Sequence, residues 1–313
     1  MASASTRVTW PHAKTFAFTV FDDPDAQTTS VGREVYAFLL DLGFQTTKGV
    51  WPLHGNGPRS CNGECCEDPA YLEWCLEIQQ HGVEIGYHNA SQNSADRELT
   101  LRGLDRFREL FGADPVTMSN HYNSEEGIYW GDRRLTGSRR FLYNLATQYT
   151  NRERFFGEIE GHPLFWGDYC RDRIRYVRNF VFQDINTLRA CPRMPYFDAD
   201  RPLVSTWYAS SEGSDRDRFV RMISEENQDR LIEEGGACIM YTHFGHGFVV
   251  DGKIDPRFRK LMTRLSKQAG WFTPVGPLLG HLQSAQGVHQ LTASERADLE
   301  WRWLLSKIRH GTS

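Results

Sequence analysis

The chain has 313 residues, of which 40% are hydrophobic and 24% charged, and its formal net charge is −4. This length allows one large α/β barrel or two ordinary domains. The composition is that of an ordinary globular protein, and the acidic balance argues against a nucleic-acid partner, which calls for a basic excess.

Phe16 to Phe21 is a strand-forming run that ends in Asp22 and Asp23, and Pro24 stops it. A continuous apolar run closed by a breaker reads as a strand buried on both faces. The segment after it predicts a helix over Val31–Leu42, capped by Ser30 and ended by Gly43. Phe44 to Trp51 reads as a second strand. The loop from His54 to Cys66 follows, then a helix opened by Asp68-Pro69 and closed at Gly82. Val83 to Tyr87 is a short strand with His88 at its end. A third helix covers Leu99 to Phe111, and Val116 to Ser119 repeats the design, with His121 just beyond it. Strand and helix thus alternate, which implies parallel strands joined by right-handed crossovers.

Between Gly127 and Asn186 the pattern is less regular: a helix over Arg139–Tyr149, a strand over Arg178–Phe182, and an aromatic loop over Gly161–Cys170 that could cover a barrel mouth. Leu203 to Tyr208 is a further strand. Ser214 or Asp215 opens one helix running to Glu234, and Ala237 to Thr242 is a buried strand followed by His243. A helix opened by Asp255-Pro256, a last strand over Trp271–Val275 and a short helix over Pro277–Leu282 complete this part. The tail carries a capping box, Thr292 with Glu295, and a stripe of Ala297, Trp301, Leu304, Leu305 and Ile308 expected to dock on the barrel. The simplest partition is a barrel over residues 1–285 and a docked C-terminal helix over 286–313.

Met1 to Arg7 has no apolar leader, and no apolar run approaches the ~20 residues of a membrane-spanning helix. A cytoplasmic protein with no transmembrane segment is therefore expected. Seven cysteines, an odd number, fit reduced thiols. Cys61-Asn-Gly-Glu-Cys65-Cys66 has the look of a metal knuckle or redox loop, but no second cysteine pair follows at zinc-finger spacing. The favoured reading is a loop with incidental thiols.

Asp22, Asp23, His88, His121 and His243 all fall at the ends of predicted buried strands. In a barrel those ends share one rim, where ligands bind. A carboxylate with two imidazoles suits a catalytic divalent metal with an open position. Zn is the first choice, with Fe, Co, Ni or Mn also suited. The chemistry this set calls for is hydrolysis by metal-activated water, with a second carboxylate as base and a histidine as acid.

Phe21-Asp22-Asp23, then Gly86-Tyr87-His88-Asn89, then Tyr241-Thr242-His243 resembles the motif order of the polysaccharide deacetylase superfamily, the NodB-homology enzymes. The resemblance covers about residues 15–280. It implies a distorted (β/α) barrel with seven parallel strands. It assigns Asp22 as base, Asp23 and His88 as metal ligands, and His243 as general acid. Three positions depart from the pattern. Gln92 stands where the family has a second histidine, Ser119-Asn120-His121 replaces an Arg-Pro pair, and Pro24 replaces a glycine. His121 is accordingly expected as the third metal ligand, with Gln92 as support or spectator. Arg178 and Asp168 are candidates for the groups that steady the base and the acid. Asn120, Asn123, Trp130 and Trp166 are expected substrate contacts. The implied activity is removal of an acyl group, most simply acetyl, from an amide on a sugar or a related small molecule. A deformylase, a cyclic-amide hydrolase, a glycosidase or a non-catalytic sugar-binding barrel are the alternatives. The oligomeric state is not readable from the sequence.

Overall fold

The computed structural model describes residues 8–56, 61–311 and 313. The segment 1–7 read for a leader, and residues 57–60 of the loop before Cys61, lie outside the described residues.

Seven parallel strands close into a barrel: β1 Phe16–Asp22, β2 Thr47–Val50, β3 Glu84–Tyr87, β4 Thr117–Met118, β5 Tyr176–Phe182, β6 Thr206–Ser211 and β7 Ala237–Thr242. Each pairs with the next in chain order, and β7 returns to β1 in register from Ala17–Ala237 to Asp22–Thr242. The barrel is distorted. β4 is two residues long, and β6 meets β7 through a single register pair, Ser211–Met240. All seven residues of β1 are buried, as its uninterrupted apolar run requires. Below the rim the interior is filled by Phe21. A Cβ at Gly49 would stand 2.9 Å from its ring and one at Gly86 2.8 Å, so glycine at these positions of β2 and β3 makes room for the plug.

Several boundaries differ from the sequence reading. Thr28 caps the first helix, Thr29–Asp41, by accepting from the Val31 amide, while Ser30 bonds to the Thr28 hydroxyl. The long helix expected up to Glu234 is two, Arg216–Met222 and Glu225–Glu234, because Ser224 starts a new one by accepting from the Asn227 amide. The aromatic segment expected as a loop contains a short helix, Gly167–Arg173. The strand expected over Trp271–Val275 is Gly270–Phe272; it pairs with the start of β1 beside the barrel, and the helix Val275–Gln286 follows it.

The C-terminal helix spans Ala293–His310, and both bonds of its capping box form. It packs on β5 and on the helix Gly137–Ala146. Its buried face shares only Leu304 with the expected stripe. Arg296, Leu299, Glu300, Trp303 and Leu304 face inward, whereas Trp301, Leu305 and Ile308 are exposed. Ion pairing chose the face: Arg296 lies 2.8 Å from Asp198, and the fully buried Glu300 accepts from Arg139 at 2.7 Å and Arg201 at 2.9 Å. Counting apolar residues alone misses this, since two charged side chains occupy the core side. Glu300→Ala leaves Arg201 buried with one carboxylate fewer. It should destabilise the fold by about 3 kcal/mol, read as a shift in the urea midpoint at pH 7.

Candidate active site and metal centre

The pleat of β1 sends consecutive carboxylates to opposite sides. Asp22, the last residue of the strand, turns away from the rim cavity. Its Oδ2 lies 3.0 Å from Nζ of Lys48, its register partner on β2, and accepts from the Tyr36 hydroxyl at 3.2 Å; its Oδ1 accepts from the Phe244 amide at 2.8 Å. Asp22 and Lys48 are both fully buried. Burial pushes the Asp22 carboxyl up, and Lys48 only partly reverses this. The sequence expectation that Asp22 faces substrate as the base is thus at odds with its position.

Asp23 points into the cavity. Arg178, projecting from β5, grips it with Nη2 at 2.6 Å and Nη1 at 3.3 Å, and the Ser119 hydroxyl donates to Oδ1 at 2.8 Å. Burial pushes this carboxyl up too, but Arg178, His88 and His243 outweigh it, so Asp23 stays below the usual carboxylate range. The Arg178 guanidinium stacks over the rings of Tyr241 and Phe21. Asp25, two residues further on, was absent from the sequence reading. Its carboxylate stands 3.3 Å from His88 Nε2, 3.6 Å from His243 Nε2 and 3.9 Å from His121 Nδ1. Burial raises this carboxyl, and the three imidazoles outweigh it to hold it well below its usual range. Pro24 and the left-handed Ala26, φ 57°, bend the chain so that Asp25 returns over the rim.

The hydrogen bonds fix the histidine tautomers. Ser119 spends its one proton on Asp23, so it accepts from His88 across 2.7 Å, and His88 carries a proton on Nδ1. Its Nε2 is then directed at Asp25. His243 donates Nδ1–H to the Ser214 carbonyl at 2.7 Å, which leaves Nε2 in the cavity, 3.3 Å from the Tyr241 hydroxyl. His121 is buried, its Nδ1 has no hydrogen-bond partner among the described residues, and burial holds its pKa down at about 4. It is therefore a neutral ring offering a lone pair at neutral pH. The His121 amide donates to Asn89 Oδ1 at 2.8 Å, and Asn89, left-handed at φ 62°, donates in turn to Glu126 at 2.9 Å. The ends of β3 and β4 are locked together this way, and burial pushes Glu126 up to about 7. Asp25, His121 and Cys61 each offer one ligand atom, all within 4.8 Å of one another. Gln92 is buried and donates to the Gly63 carbonyl at 2.7 Å.

A cavity of about 600 Å³ opens above these groups, lined by Asp23, Asp25, His88, Arg178 and His243 among others. Of the expected substrate contacts, Asn120, Asn123 and Trp130 line it. The Asn120 amide, however, is engaged with both backbone groups of Ile128. Trp166 does not reach the cavity; it is fully buried and donates its indole N–H to the Glu126 carbonyl. Asp168 is also elsewhere, in a bidentate pair with Arg97 on the outside. Glu125 is exposed and outside the lining, so neither residue supplies the opposed carboxylate of a glycosidase. Arg178, a candidate for steadying Asp22, pairs with Asp23 instead. Lys48 and Ser119 have roles the sequence did not assign, since a lysine inside a short strand and a serine two residues before a histidine carry no motif.

No protein-family model matches the chain, and no curated protein matches it in sequence. Solved structures do. A candidate polysaccharide deacetylase from Mycobacterium smegmatis aligns with a TM-score of 0.55 and 12% identity, over 93% of this chain and 98% of that one. The peptidoglycan deacetylase PdaC from Bacillus subtilis, in a mutant form, aligns at 0.34 and 13%, over 97% and 100%. A polysaccharide deacetylase from Bacillus cereus aligns at 0.35 and 9%, over 83% and 91%. The first of these shows a common fold, in line with the motif resemblance.

Lys48→Met would leave Asp22 as an uncompensated charge in the core. It should lower unfolding free energy by about 3–5 kcal/mol. Adding Asp22→Asn to that variant should recover a large part of the loss, as a double-mutant cycle in urea would read.

Proposed function

We propose that this chain, built on the fold of a polysaccharide deacetylase, is a metal-dependent amide hydrolase that removes an acyl group, most simply acetyl, from an amino sugar or a related small amide. The observation that carries this reading is the group on one rim: an ionised Asp23 held by Arg178, with Asp25, His88 and His121 beside it. The donor set fits a divalent cation. Asp25 and His88 Nε2 face each other at 3.3 Å as two acceptors, which only a proton or a cation between them can satisfy. The buried Nδ1 of His121 has no hydrogen-bond partner among the described residues. Asp25, His88 and His121 would hold the ion, Zn being our choice, and the bond from His88 to Ser119 sets the ring orientation as metal sites require.

The roles that the motif resemblance gave to Asp22 and Asp23 are thus reassigned to Asp23 and Asp25. When bound, the cation polarises the acyl carbonyl and acidifies the attacking water. Asp23 takes the proton from that water; Arg178 and Ser119 fix its oxygens and keep it ionised. His243, steered by the Ser214 carbonyl, presents Nε2 to the cavity and, when protonated, delivers a proton to the departing amine. The acyl C–N bond breaks, giving a carboxylate and an amine. Trp130 and Asn123, on the cavity wall, are the proposed contacts to the rest of the substrate.

Asp23→Asn should lower kcat on N-acetylated amino sugars by about 10²–10⁴-fold with bound metal retained. Asp22→Asn, measured on its folded fraction, should change kcat by less than about tenfold, its cost appearing as stability. The reverse ranking would restore Asp22 as base. A wild-type protein that binds these sugars without turnover would favour the binding alternative.

Metal analysis after dialysis provides a separate check. His121→Ala and Asp25→Ala should each lose most of the divalent ion the wild type retains, and binding should weaken as pH falls, because protons compete with the cation for its ligands. Full occupancy in both variants would remove the metal centre from this position.

A further inference from the structure

We infer that Cys61 is a ligand of the same cation, bound as thiolate, so that the centre is a mixed sulfur, nitrogen and oxygen site. This rests on the metal reading above and adds to it a residue that the motif resemblance does not supply. Sγ of Cys61 shares one space, 4.8 Å at most in any direction, with a carboxylate oxygen of Asp25 and a ring nitrogen of His121. Ligands of a single tetrahedral ion lie about 3.3–3.8 Å apart given its bond lengths, so only a small closure is needed. The buried Nδ1 of His121, without a hydrogen-bond partner among the described residues, is the independent sign that something belongs there.

The loop carrying Cys61 is fastened to the segment carrying Asp25. The Ala26 amide donates to the Asn62 carbonyl at 2.6 Å, and the Glu64 amide to the Gln27 carbonyl at 2.9 Å. Gly63 lies so close that a Cβ would stand 2.8 Å from the Pro24 carbonyl and 3.0 Å from the Trp51 ring. The same Trp51 packs against His121, with ring centroids 5.3 Å apart. Gln92 supplies the last tie, by donating to the Gly63 carbonyl. The position where the resemblance expects a second histidine therefore holds the loop that brings a thiol to the centre.

A thiol releases its proton to solvent on binding. It also selects among metals, because sulfur favours Zn over Mg, Ca or Mn. A second cluster nearby, His54, Cys65 and Glu67, also brings its ligand atoms within 4.8 Å. There, however, burial pushes the Cys65 thiol up to about 12, and His54 stands 3.3 Å from Asp68. It serves as the control.

The test replaces the metal with Co²⁺ in the full chain. Wild type and Cys65→Ser should show sulfur-to-cobalt charge-transfer absorption in the near ultraviolet. Cys61→Ser should lose it yet keep visible d–d absorption from the remaining ligands. Its Zn²⁺ affinity by chelator competition should fall at least as far as loss of a supporting residue costs, about 10–100-fold. Should Cys61→Ser fail to fold, alkylation of the wild type by iodoacetamide gives a second reading: Cys61 labels in metal-free protein and is protected once Zn²⁺ is added. Cobalt that binds with d–d bands but no charge transfer in wild type would overturn the Cys61 assignment and leave the metal centre standing, as would charge transfer surviving in Cys61→Ser. Absence of both absorptions would overturn the metal centre as well.

Discussion

Three carboxylates within four residues, Asp22, Asp23 and Asp25, meet the end of a buried strand, and they cannot all stay ionised there without separate compensation. The structure answers each differently. Asp22 is matched by Lys48 from the neighbouring strand, Asp23 by Arg178 from the far side of the barrel, and Asp25 by a ring of imidazoles. Everything else at the rim follows from this division of charge. Asp22 becomes part of the wall, Asp23 an ionised base within reach of the cavity, and Asp25 a carboxylate whose natural partner is a cation.

The barrel makes that division possible. Strands far apart in the chain deliver His88, His121, Arg178 and His243 to one rim, Lys48 stays in the wall beside Asp22, and the glycines at positions 49 and 86 let Phe21 close the floor beneath the rim. The supporting bonds run sideways between neighbouring strand ends, from Ser119 to His88 and from Asn89 to the His121 amide. Such cross-links fix ring orientation, which a catalytic or metal-binding histidine needs as much as proximity. The Cys61 loop extends the same design, being attached by backbone bonds to the turn that presents Asp25.

Much of the barrel was legible because its signals are local. Apolar runs, caps and glycine stops marked the strands and helices, and the alternation implied parallel pairing. His88, His121, His243 and Arg178 were found because each ends or lies within such a strand. The misreadings share one cause. The C-terminal helix was oriented by apolar count, but the pairs Arg296–Asp198 and Glu300–Arg201 turned a different face inward. Aromatic character suggests a cavity position for Trp166, whereas its indole N–H finds a carbonyl in the core.

The sequence by itself determined the strand ends, their order and the kinds of side chain gathered there, since these depend on neighbours a few residues away. It could not say which carboxylate faces the cavity. That depends on the phase of the pleat and on partners distant in the chain: Lys48 lies 26 residues from Asp22, and Arg178 lies 155 from Asp23. Nor could it single out Asp25 or Cys61, which reach the rim through the turn after Pro24 and the loop docked against it. A side chain's role in a buried site is set by which opposite charge reaches it in three dimensions, and only the folded chain decides that.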